Sequence, residues 1–111
     1  MQTIRLNIIP TGKPPVVYLS KSDVGRQFRI ELYEDDFCLY TPTDAECKLQ
    51  GLGWEGTPVI DNNSLLVTIT EKMTERSGDY PAVLHIYWNE SRITTQKMVL
   101  HIERGTRYAA D

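Results

Sequence analysis

Two histidines, two cysteines and a run of three carboxylates are the residues of this chain with chemistry to offer. His85 and His101 fall in two apolar runs, 80–88 and 93–103, at positions alternating with Leu84, Ile86, Leu100 and Ile102. If those runs are neighbouring strands, both imidazoles share one face. Two imidazoles fall short of a metal site, which gathers several ligands at close range, so surface histidines and no metal are expected. Cys38 and Cys47 would meet across a hairpin if 37–40 paired with 45–50, and a disulfide is then geometrically open to them. The N-terminal stretch MQTIRLNIIPTGK lacks the apolar centre and small-residue cleavage site of a signal peptide, which favours two buried, reduced thiols. A cysteine with a distant histidine is a weak nucleophile pattern, and Ser77-Gly78 lacks the strand-to-helix frame of a nucleophile elbow. Glu34-Asp35-Asp36 reads as turn chemistry and lacks the ordered oxygen donors of a calcium loop. GLGWEG at 51–56 resembles a nucleotide fingerprint, but no helix follows it. The expectation is a chain that is not an enzyme, with no catalytic, cofactor or metal residue.

The elements that would position these side chains are short strands. Gln27–Tyr33 alternates strictly, with Phe28, Ile30 and Leu32 on one face and Arg29, Glu31 and Tyr33 on the other. That is the period of a half-buried antiparallel strand. Thr3–Ile9, Val16–Leu19, Phe37–Tyr40, Ala45–Gln50, Ser64–Thr70, Tyr80–Trp88 and Ile93–Glu103 read as further strands, with Val59-Ile60 an edge strand and GLGWEGTP irregular. Pro10 ends the first of them, having no N–H for a ladder. Turn-formers recur between them and no helical period is sustained, so the fold class is an all-β sandwich of about seven to nine short strands. The 111 residues suit one domain over 1–103, with 104–111 a tail or the start of a linker. Net charge is −3 with no basic block, which argues against nucleic acid or an anionic membrane as partner. No apolar stretch nears the roughly 20 residues of a membrane helix.

EKMTERSGDYPAVLHIY, residues 71–87, sharpens the fold. A single helical turn over Glu71–Arg76 can carry the chain from one sheet to the other. Gly78 can take the positive φ that ends it, and Tyr80 then opens the returning strand. In immunoglobulin-like antiparallel sandwiches a tyrosine here turns its hydroxyl back to upstream backbone, the tyrosine corner that opens strand F. Ala82 stands where such domains carry a cysteine, and 27–33 holds no partner cysteine. Trp54, Tyr33 and Tyr40 are the candidate interaction residues, since Trp and Tyr combine large contact area with a polar tip. Trp54 reads either as a docking anchor or sugar platform, or as a plug at the end of the sandwich.

The order of these pieces resembles a known family. D-x-G-R-x-F-x-I-x-L (Asp23, Gly25, Arg26, Phe28, Ile30, Leu32) precedes a small hairpin and a glycine-rich segment with a tryptophan. L-x-V-T-I-T-E-K-M-T-x-x-x-G-D-Y (Leu65 to Tyr80) and T-x-x-x-x-L-x-I-E (Thr95 to Glu103) follow. Over about residues 15–103 this is similar to the N-terminal domain of baseplate upper proteins of tailed phages and prophages of Gram-positive hosts. The resemblance implies a virion structural module, assembled in the bacterial cytoplasm. It would anchor a longer, oligomerising protein to other tail proteins without small-molecule substrate or cofactor. A carbohydrate-binding or adhesin-like sandwich remains the alternative, and another immunoglobulin-like interaction domain a third reading.

Overall fold

Period-two alternation becomes two stacked sheets in the computed structural model, which describes residues 1–9 and 12–104. Ten strands follow in chain order: β1 (Gln2–Asn7), β2 (Val16–Ser20), β3 (Gln27–Glu34), β4 (Phe37–Cys38), β5 (Glu46–Gly51), β6 (Trp54–Gly56), β7 (Val59–Asp61), β8 (Ser64–Thr68), β9 (Gly78–Trp88) and β10 (Ser91–Glu103). One sheet has the order β1-β3-β8-β7, with β4 paired to the end of β3; the other runs β2-β10-β9-β5-β6. Their inner faces supply the core, including Leu6, Phe28, Ile30, Leu49, Leu65, Leu84, Met98, Leu100 and Ile102. Each such side chain stabilises the fold by about 1.5–3 kcal/mol through loss of apolar surface to water. Beside the ABED and CFG sheets of an immunoglobulin domain, β3, β8 and β7 stand where B, E and D do. β10, β9 and β5 stand where G, F and C do.

The sandwich is mixed where alternation suggested antiparallel strands throughout. β1 pairs with β3 in parallel, Gln2 opposite Phe28 through Asn7 opposite Tyr33, and β2 pairs with β10 in parallel. Alternation reports which face is buried, and both ladder types share it. β1 and β2 therefore flank different sheets. Side-chain amides stitch that flank: Tyr18 N–H donates to Gln2 Oε1 (2.8 Å), Gln2 Nε2 donates to Tyr18 C=O (2.6 Å), and Asn7 N–H donates to Gln96 Oε1 (2.8 Å).

Four further expectations change. Segments 37–40 and 45–50 form no hairpin: β4 belongs to the first sheet and β5 to the second, because the chain crosses between sheets at Thr41–Ala45, where Ala45 N–H closes a turn on Pro42 C=O (3.1 Å). Both cysteines are free, but only Cys47 is buried; Cys38 is exposed on the short β4. GLGWEGTP is ordered, with Gly51 opposite Trp54 around a Leu52-Gly53 turn in which Gly53 has φ +81°. The single helical turn is a 3-10 turn, Glu71–Thr74, shorter than 71–76. Pro10 and residues 105–111, where a strand stop and most of a tail or linker were expected, lie outside the described residues.

The register gives the sandwich two distinct ends. β3 finishes at the Asp35-Asp36 turn, β7 at Asn62-Asn63 and β9 at Asn89-Glu90. Gln96, in the first half of β10, accepts from Asn7 N–H at the end of β1, so these three turns share one end. Asn62 and Asn63 have φ +46° and +64°, Asn89 and Glu90 φ +51° and +62°. Positive φ at both central residues marks type I′ turns, whose twist suits a two-residue hairpin. The opposite end carries Gly25, the β5–β6 turn, the 3-10 turn and Ser77-Gly78.

Candidate interaction surfaces

The end that carries the 3-10 turn is closed by backbone and side-chain bonds. Gly25 N–H donates to Ile69 C=O (2.8 Å), Ile69 N–H to Arg26 C=O (2.7 Å) and Ser22 N–H to Thr74 C=O (3.0 Å). The buried Thr74 hydroxyl donates to Asp23 C=O (2.8 Å). Tyr80 donates its hydroxyl to Ser77 C=O (2.7 Å), and Gly78 between them has φ +128°. A Cβ at Gly78 would sit 3.2 Å from the Tyr80 hydroxyl, so the tyrosine folds over the glycine. Trp54 is half-buried against the core, and its indole lies where a Cβ of Gly51 would be, 2.1 Å from Cε2. Gly51 therefore gives the ring its seat. Trp54 and Tyr80 line one groove of about 180 Å³ with Leu52, Lys72, Met73, Glu75 and Arg76.

Tyr33 and Tyr40 belong to the other end, so the structure separates them from Trp54. The Tyr33 ring lies under the Arg5 guanidinium, 4.5 Å from its centroid. Desolvation pushes its phenol above 10.0, with Arg5 opposing and Cys38 adding to the rise. Tyr40 is 76% exposed, as is Phe37, which the sequence reading passed over as one more strand residue. Trp88, also passed over, is 43% exposed and donates Nε1–H to Asp44 Oδ1 (3.0 Å). Thr41 N–H donates to Asn63 Oδ1 (2.8 Å), while the Thr41 hydroxyl is buried with no partner among the described residues. Exposure of aromatics at chain reversals was the missing signal: Phe37 and Trp88 each sit beside a turn, beyond the reach of the opposite sheet.

The histidines do not meet. His85 lies opposite Thr94, bonded with Thr94 Oγ1 (3.0 Å) and Gln50 Oε1 (3.2 Å). His101 lies opposite Asp79, six residues along β9 from His85. Its Nδ1 meets the Asp79 carboxylate and its Nε2 the Glu103 carboxylate (2.9 Å), with the Tyr18 ring edge-on at 5.6 Å. Both carboxylates only accept, so the doubly protonated ring satisfies both. Hydrogen bonds to Asp79 and then Glu103 raise its pKa above 6.5, against a smaller opposing effect of burial. Among the described residues no group of three or more His, Cys, Asp or Glu is arranged to hold a metal, and no helix is long and apolar enough to cross a membrane.

Two mixed sheets with a 3-10 turn ahead of β9 define an all-β sandwich domain. Among solved structures the chain is similar to the N-terminal domain of phage TP901-1 ORF48, with a TM-score of 0.67 and 12% sequence identity. The match covers 93% of this chain and 99% of that domain. At that identity the likeness is one of fold. No family model and no curated protein sequence matches the chain.

Proposed function

We propose that this chain is a non-enzymatic structural module of a tailed-phage or prophage virion. It would dock a baseplate or tail-tip protein onto other tail proteins. The observation that carries the reading is the end-to-end match in fold to the N-terminal domain of a phage protein. It agrees with the likeness of D-x-G-R-x-F-x-I-x-L and V-T-I-T-E-K-M-T to baseplate upper proteins. The molecule also has the right kind of surface for docking. Exposed Phe37, Tyr40 and Trp88 lie at one end, and such rings anchor protein interfaces. On this reading the sandwich through residue 103 is the folded unit. The adhesin reading leans on Trp54 as a sugar platform, and the seating of that indole over Gly51 takes part of the ring away from any ligand.

Mass spectrometry of gradient-purified tailed particles from the source strain, induced where the phage is a prophage, tests this. The protein at a fixed ratio to other tail proteins is the expected result. Particles that contain other tail proteins and never this one would overturn it.

A further inference from the structure

Three strands meet at one imidazole at the closed end of the sandwich. His101 stands on β10 between Asp79, opposite it on β9, and Tyr18, opposite it on β2. Glu103, two residues on, is the last residue of β10 and projects from the same face. The half-buried ring donates Nδ1–H to Asp79 and Nε2–H to Glu103 (2.9 Å), and the Tyr18 ring packs edge-on against it. The charges acting on the ring are those two carboxylates. Glu103 also ends the β2–β10 ladder. It lies opposite Ser20, and its C=O accepts from Lys21 N–H (2.8 Å). β2 is an edge strand of five residues, so this bond closes its C-terminal end.

A neutral imidazole keeps one N–H. The bond to Asp79 acts on the ring more strongly than the bond to Glu103, so the remaining proton stays on Nδ1. Nε2 then turns a lone pair toward the Glu103 carboxylate, two acceptors with no proton between them. The two carboxylates also lose the cation that separated them. We propose that His101 is a proton-operated pin on the end of edge strand β2. The imidazolium holds Glu103 in place beside Lys21; the neutral ring releases it, and the Lys21–Glu103 end of the ladder frays. The pin is set at acidic pH and is released as pH rises through the ring's folded pKa, which Asp79 and Glu103 raise above 6.5. Exposed ion pairs add little to the stability of a whole fold, so the release is a local opening. The inference goes beyond the virion reading, and either can fail without the other.

Amide hydrogen exchange of the chain across a pH series, with the imidazole resonances read in the same samples, tests it. Protection of Lys21 N–H, corrected for the intrinsic pH dependence of exchange, should fall several-fold with the midpoint of the His101 titration. Protection of Gly25 N–H, bonded to Ile69 C=O at the same end, should not follow. His101→Gln should remove the step at Lys21. So should Glu103→Gln, whose amide can accept from an N–H or donate to a bare ring nitrogen. Asp79→Asn should remove it too, because the single proton of the neutral ring can then stay on Nε2 with Glu103. In the last two variants the ring still titrates and Lys21 no longer follows it. Lys21 protection that ignores the His101 titration in the unaltered chain, or a step that survives in His101→Gln, would overturn the proposal.

Discussion

The two ends of the sandwich spend similar residues differently. Each has a buried threonine, an aromatic cluster and a tight turn. At the closed end the Thr74 hydroxyl reaches Asp23 C=O, Tyr80 reaches Ser77 C=O, and Trp54 rests on Gly51. At the open end the Thr41 hydroxyl is buried without a partner among the described residues, and Phe37 and Tyr40 point into solvent. Leu39 and Ala45 pack on the core at this end as well, so the contrast lies in the unpaired hydroxyl and the exposed rings. Unsatisfied polar groups and exposed rings cost stability that a partner can return.

That contrast can be broken by substitution, starting with the largest effect. Met73→Ala removes a buried side chain of the 3-10 turn that packs on Gly56, and should cost about 2–5 kcal/mol in chemical denaturation. Gly51→Ala drives a methyl into the Trp54 ring and should cost about 1–3 kcal/mol, with a change in tryptophan fluorescence. The same exchange of threonine for valine should have opposite signs at the two ends. Thr74→Val leaves Asp23 C=O without its donor and should cost about 1–2 kcal/mol, whereas Thr41→Val removes an unpaired buried hydroxyl and should gain about 1 kcal/mol. Equal signs would show that the ends do not differ as described.

The smallest effect is a titration. His101 has its folded pKa raised above 6.5 by Asp79 and Glu103. A raised pKa stabilises the fold while the ring is protonated. That contribution is complete below the unfolded value near 6.5 and is lost as pH rises through the higher folded value. Nuclear magnetic resonance of the His101 ring should therefore give a midpoint above 6.5. Asp79→Asn should lower it, and stability should fall slightly across the interval between the two values.

Much of this molecule was legible in its sequence, and unevenly. Gln27–Tyr33 and Ser64–Thr70 fixed their buried faces because one face of each strand meets the opposite sheet and alternation records that. The 3-10 turn, the positive φ of Gly78 and the Tyr80 hydroxyl bond to Ser77 C=O are local events within a few residues, the kind of feature a short stretch of sequence can carry. Strand direction was not legible, since β1 and β2 owe their parallel neighbours to pairings with residues far along the chain. The Cys38–Cys47 hairpin failed for the same reason: two short apolar runs around Thr41-Pro42 look alike whether they turn back or cross. The exposure of Phe37, Trp88 and Ile93 escaped because each obeys core parity. Only the register across two sheets shows that the core ends before them.

Quantitative mass spectrometry of purified particles from a strain carrying Phe37→Asp tests the central claim, that the open end is the working end. The account predicts a folded protein, present in the lysate at normal abundance and depleted from particles, with Tyr80→Phe incorporated as the wild-type chain is. Phe37→Asp at the wild-type ratio to the other tail proteins would contradict it.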